Sequence, residues 1–370
     1  MGPSLRSRLL RATARPILLL LGLLGLVLFS PLIGPVPIPW QQGLSILFHQ
    51  TTGGFLGGSD CSGMVPAPRC AIWVEIVWGA RVPAVLLAVL VGAALGLSGG
   101  ALQGVFRNPL ADPFLLGLSS GATLGAAAAF AVTFGLVSAG KLSGGEQALL
   151  LPGAAFAGGL VPGLVVLLAA LRRTRATGTL LLTGVSLNFL FSAALSIMML
   201  YYQRIDIQVT FWLLGGFTLA NWTNDGLVLS VLLVAGLAIV LHGRVLNLLQ
   251  LGEEVAQSLG SDPPRVIRRV VLLATVTTAI AVAFAGIIGF VGLVGPHIVR
   301  RMVGFDYRRV LPLSAAAGAA FLLVAWDVAQ VVIPNVVIPV GIPTAVVGSM
   351  FFLYLLYRRT PSSGRPGASG

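Results

Sequence analysis

Long apolar runs separated by short basic clusters constrain this chain more than any other feature of its sequence. A helix needs about 20 apolar residues to cross the hydrocarbon core of a bilayer. Such runs lie at 16–36, 81–105, 114–135, 147–171, 179–201, 226–242, 266–286, 287–302, 308–331 and 339–357. Only 9% of the residues are charged, against about 25% in an ordinary soluble domain, so a water-soluble core does not account for them. In lipid every backbone polar group must be bonded within the protein, and a helix does this alone. The fold class expected is an all-α polytopic membrane protein of about ten transmembrane helices. The eighth run is short and glycine-rich and need not cross fully. A further short helix is expected within 205–222.

The basic residues give the orientation. A net charge of +12 invites a nucleic-acid reading, but the basic residues never line one amphipathic face, so no nucleic-acid partner is expected. With the N-terminus inside, 19 of the 23 Lys and Arg fall on inside segments, and only Arg69, Arg81, Lys141 and Arg204 fall outside. That asymmetry obeys the positive-inside rule and places both termini in the cytoplasm. The first run continues from Pro16 through Leu28 into Pro31–Ile33 without a small-residue cleavage site, so it reads as a first span rather than a cleaved signal. The organisation expected is a basic leader over 1–15, one transmembrane domain over 16–359 and a flexible tail over 360–370. The longest outside loop is placed at about 37–80 and the longest inside loop at about 243–265.

Two rows of glycine punctuate the second and third runs: Gly92, Gly96, Gly100 and Gly104, then Gly117, Gly121 and Gly125. Small residues four apart let helix backbones approach closely, which supplies packing that hydrophobicity cannot supply in lipid. They predict a tightly packed bundle and name no substrate. The only two cysteines, Cys61 and Cys70, share the outside loop. A disulfide is the favoured reading in an oxidising compartment, two free thiols the alternative. The loop's one histidine, His49, leaves too few ligands for zinc.

Catalytic chemistry is missing. The stretch Gly135–Leu142 approaches a phosphate-binding loop, but Leu142 stands where a hydroxyl must hold magnesium, and no strand precedes it. Lys141 is the only lysine of the chain, so ATP, if it drives this protein, is hydrolysed by a partner. His49, His242 and His297 have no nucleophile and acid near them in sequence; no metal site is expected, and His297 reads as a residue that caps or packs a helix end. Ion-coupled carriers bury ionisable residues as ion sites. Here every acid except Asp327 falls in a loop or at a span boundary, which makes an ion-coupled secondary transporter the runner-up.

Three stretches carry a family resemblance. The first is Arg81-Val-Pro, the run from Gly92 to Gln103, Arg107-Asn-Pro-Leu-Ala-Asp-Pro113 and Leu116–Ala122. The second is Phe211–Gly216 with Leu251–Gly260. The third is Gly289–His297 with Pro339–Thr344. Over about Leu5 to Arg359 the chain resembles the FecCD-type permeases, membrane subunits of ABC importers for iron-siderophores, haem and cobalamin. The resemblance implies a second permease subunit, itself or a paralogue, with the path between the two. It also implies two cytoplasmic ATPase subunits that bind ATP and magnesium, and an extracytoplasmic substrate-binding protein. No cofactor is implied for this chain, and an iron-siderophore, commonest in the family, is the ligand expected. The run Gly252-Glu253-Glu254-x-Ala256-x-x-x-Gly260 resembles the helix that docks on the ATPase, with Ala256 and Gly260 sharing one face and Gly260 closing it as a left-handed cap. Arg81, helped by Arg204, is expected to meet acids of the binding protein. By composition, Ser119, Ser120, Thr123, Asn188 and Ser192 are candidates for the path. Three positions depart from the family: Ala84 and Gln330 stand where arginines are usual, and Val337 where an acid is usual.

Overall fold

The computed structural model describes residues 5–53, 61, 66–138, 144–172, 177–334 and 336–358. Outside these lie the start of the basic leader, most of the glycine-rich stretch around Cys61, the 139–142 part of the phosphate-loop near-miss, and the tail.

All ten expected membrane segments are helical. They are α1 (Leu5–Phe29), α4 (Val82–Phe106), α5 (Leu118–Ser138), α6 (Gly144–Arg172), α7 (Thr177–Tyr201), α9 and α10 (Trp222–Val231 and Leu237–Leu241, joined by a π turn), α13 (Pro263–Ala285), α14 (Val291–Val303), α15 (Tyr307–Val331) and α16 (Gly341–Arg358). Eight helices among the described residues are long and apolar enough to cross a membrane; α16 is a shorter apolar helix, and α14 has only 13 residues.

The outside loop is more ordered than its composition suggests. It holds α2 (Trp40–Thr52) and α3 (Ala67–Val74). Prolines precede both helices, at Pro39 and Pro66, and left-handed Gly53 ends α2. Prolines and glycines read as loop signals therefore act as helix boundaries. From α3 the chain passes through a π turn at Glu75–Arg81 straight into α4, one helical run over Ala67–Phe106. The second span thus begins well before the expected residue 81; Pro83 cannot donate to a carbonyl of the preceding turn, and the π turn at Glu75–Arg81 lies where that bond is missing.

At the centre, α4 packs against α13, α14 and α15. The first glycine row makes this possible. A Cβ on Gly92 would lie 2.5 Å from the carbonyl oxygen of Gly318, and one on Gly96 would run into the carbonyl of Ser314. The second row does the same for α5 and α6, where Gly121 lies against Gly158 and Gly125 against Ala154. One apolar cluster fills the outer half of the bundle around Leu87, Leu95, Ile288 and Leu322, and another the inner half around Leu102, Leu116, Leu246 and Leu311.

Candidate functional site

At the inner face, the 243–265 segment forms α11 (Gly243–Gln250) and α12 (Glu253–Ser258). Glu253 and Glu254 occupy the first turn of α12, where negative charge suits the helix dipole. Gly260 is left-handed (φ +83°), its N–H donates to Gln257 O (3.0 Å), and Ser261 N–H donates to Ala256 O (3.1 Å). These two bonds make a Schellman cap. Asp262 then caps α13 by accepting from Arg265 N–H (3.1 Å).

The expected docking face is corrected here. Ala256 is fully buried in the inner core cluster, so it seats α12 on its own chain and cannot meet a partner together with Gly260. Val255 and Leu259, four residues apart, are exposed instead, and Leu251, before the Gly252 turn, is exposed as well, all outside the membrane spans. Beside them, Glu253, Glu254, Gln257 and Asp262 line an acidic cleft of about 350 Å³. The α11 helix is held by Asn247, which donates to Asp306 Oδ1 (2.7 Å) and accepts from Tyr307 N–H (2.8 Å). The bonds from Asn247 and from Arg308 N–H hold the Asp306 carboxyl below the usual carboxylate range.

At the outer face, Arg81 is also corrected. It is buried, and its guanidinium donates to the carbonyls of Pro31, Leu32 and Val36. Those carbonyls lie in the turn after α1, and Gly34 leaves room for the guanidinium: a Cβ there would stand 2.7 Å from Arg81 Cζ. Arg81 thus organises the outer end of its own chain and does not point toward a binding protein. Arg204 is exposed, its guanidinium carbon 5.3 Å from the centre of the Phe134 ring. Ala84 and Gln330 face the interior, whereas Val337 is exposed. The Asp327 carboxylate accepts from Ser30. A second acid escaped sequence reading: Asp225, at the expected boundary of the sixth span, is buried in the first turn of α9. Cys61 and Cys70 are joined as a disulfide and packed with Ile46 and Val77.

The path candidates divide. Ser120 and Thr123 are buried; Ser120 donates to Asn188 Oδ1 (2.7 Å) and Gly117 O (3.0 Å), and Thr123 donates to Ser119 O (2.8 Å). Asn188 Nδ2 donates to Phe114 O (3.4 Å). Ser120 and Asn188 tie α5 to α7, Thr123 is bonded within α5, and all three are withdrawn as path lining; Ser119 is half-buried beside them. Ser192 is exposed on α7 with Ser186 and Ser196, whose hydroxyls donate to carbonyls one turn earlier. His297 packs edge-on against Phe351, ring centres 5.4 Å apart. Among the described residues, no group of three or more His, Cys, Asp or Glu is placed to hold a metal.

The sequence pattern of the FecCD transport family matches residues 19–358. The cobalamin import system permease protein BtuC of Halobacterium salinarum is 42% identical over 77% of this chain and 74% of its own. The hemin transport system permease protein HmuU of Yersinia pestis is 38% identical over 78% of this chain and 84% of its own. Among solved structures, one described as of metal-chelate type, an ABC transporter in an inward-facing conformation, superposes with a TM-score of 0.76 at 28% identity. It covers 94% of this chain and 99% of its own.

Proposed function

We propose, since this chain belongs to the FecCD transport family, that it is the membrane permease of an ABC importer carrying a bulky metal chelate inward while partner subunits hydrolyse ATP. The observation that carries this reading is α12: a capped acidic helix with Val255 and Leu259 exposed four residues apart and Leu251 exposed just before it, on the inner side. Exposed apolar side chains at helical spacing favour a partner that buries them. An ATPase groove fits, and the exposed Glu254 suits basic residues on its rim. Expression of this chain with its ATPase, followed by co-purification, is the test. Val255→Glu and Leu259→Glu should abolish co-purification without loss of folded permease; full retention would overturn the assignment.

The ligand class rests on the relatives, whose names specify cobalamin and hemin. An iron-siderophore shares their bulk and chelated metal and is carried as the first expectation, with haem and cobalamin beside it. The path runs along the exposed α7 face bearing Ser192 and Ser196, against a second permease subunit. An extracytoplasmic binding protein delivers the ligand to the outer face near Arg204. ATP-dependent uptake of cobalamin, hemin and a ferric siderophore into proteoliposomes distinguishes the ligands.

A further inference from the structure

The geometry points to Arg107 and Gln250 as positioning residues: Gln250 fastens the inner end of α4 to α11 and Arg107 fastens it to α12, so that the α11–α12 segment and the central helix move as one body. The inference rests on α12 being where the ATPase docks. The helical run ending in α4 spans Ala67–Phe106, 40 residues, about 60 Å at 1.5 Å per residue. It reaches from the disulfide-closed cap on the outer side to the inner face, and α4 touches α13, α14 and α15 on the way. A displacement delivered to its inner end reaches the core of the bundle directly.

Three features make that end a joint. Gly104 lies in the last turn of α4, where carbonyls have no partner in their own helix. Its oxygen accepts from Gln250 Nε2 of α11 at 2.8 Å, so a neighbouring helix supplies the cap. Arg107 then leaves the helix in a left-handed conformation (φ 51°), shared among described non-glycine residues only with Cys61 and Phe290. Its guanidinium lies 3.8 Å from Glu253 Oε1 of α12. A half-exposed pair of this kind is weak alone, but Gln250 and Glu253 are three residues apart, so two polar ties span one junction. Buried Ala256 seats the same helix on the apolar core beneath. A plain helix-stop at Pro109 explains neither the cap from α11 nor the direction taken by Arg107.

The test uses the complete complex in proteoliposomes of phosphatidylethanolamine and phosphatidylglycerol, with whichever of cobalamin, hemin or ferric siderophore the wild type takes up. The quantity read is ligand moved per ATP hydrolysed. Arg107→Glu should keep the ATPase bound and lower this ratio about fivefold, as an attraction of modest strength becomes a repulsion. Arg107→Glu with Glu253→Arg should restore it to within about twofold, and Arg107→Lys should stay close to wild type. Gln250→Leu should lower the ratio with Arg107 intact. Arg107→Gln, which keeps the size, serves if charge reversal prevents folding. An unchanged ratio in Arg107→Glu or Arg107→Gln, or a double exchange no better than either single one, overturns the joint. Val255→Glu tests the premise separately: retained ATPase binding there removes the docking assignment, whatever Arg107 does.

Discussion

The hydroxyl of Ser120 on α5 donates to the side-chain oxygen of Asn188 on α7 at 2.7 Å. Two residues that composition alone would place along a polar path are each other's partners inside one subunit. Ser192, on the same α7 helix, has no such tie and stays exposed.

Ser120→Ala should therefore cost about 0.6–1 kcal/mol, the usual worth of a hydrogen bond between membrane helices, and leave uptake largely intact. Ser192→Trp should do the reverse, stopping uptake while the thermal midpoint stays unchanged. Thermal unfolding in detergent and vesicle uptake, measured on both variants, separate the two roles.

Gly96→Leu should remove most folded protein. The new side chain meets the Ser314 carbonyl on α15, and overpacking against backbone costs about 3 kcal/mol or more. Gly22→Leu on α1 meets nothing within 4 Å and should express like the wild type. Size-exclusion yield of the two proteins makes the comparison.

Ala256→Trp should fail as a folded protein, because Ala256 has no exposed surface. Gly260→Ala should fold but lose about 1 kcal/mol, since φ +83° suits glycine and strains any side chain. Limited proteolysis of the 251–262 segment reports both; equal protection in the two variants would contradict the buried seat.

Reduction should loosen the outer cap. Cys61 and Cys70 are nine residues apart, and closing a loop of that length is worth about 2–3 kcal/mol in the chain-entropy model. Faster proteolysis between α2 and α3 is expected in Cys61→Ser with Cys70→Ser, with α4 protected as before.

The loop after α4 carries a pH dependence. Burial raises the Asp112 carboxyl to about 6, against the opposing pull of the hydrogen bond from Phe114 N–H (2.8 Å). The folded state then holds this proton more tightly than the unfolded chain does. Its contribution is complete below the unfolded value near 3.9 and is lost as pH rises through about 6. Asp112→Asn keeps an acceptor for Phe114 and should flatten the thermal midpoint between pH 4 and 7. A wild-type midpoint that rises across that window would reverse the sign.

The amino-acid sequence by itself determined the all-helical membrane class and where the ten apolar helical segments lie along the chain. Segment length and apolar content act locally and one segment at a time. It also determined the Gly260 cap, because a left-handed residue followed by Asp262, Pro263 and Pro264 closes a helix without help from elsewhere. Only the tertiary structure decided which face of each helix is free. Ala256 and Val255 are adjacent, yet one is buried and the other exposed. Arg81 turns inward because the Ser30–Val36 turn, some 50 residues earlier, offers carbonyls for its guanidinium. Ser120 is withdrawn from the path because Asn188 stands across from it on another helix. Apolar periodicity cannot separate faces in a helix surrounded by lipid and by other apolar helices, and a polar side chain's role is set by the partner that the fold brings to it.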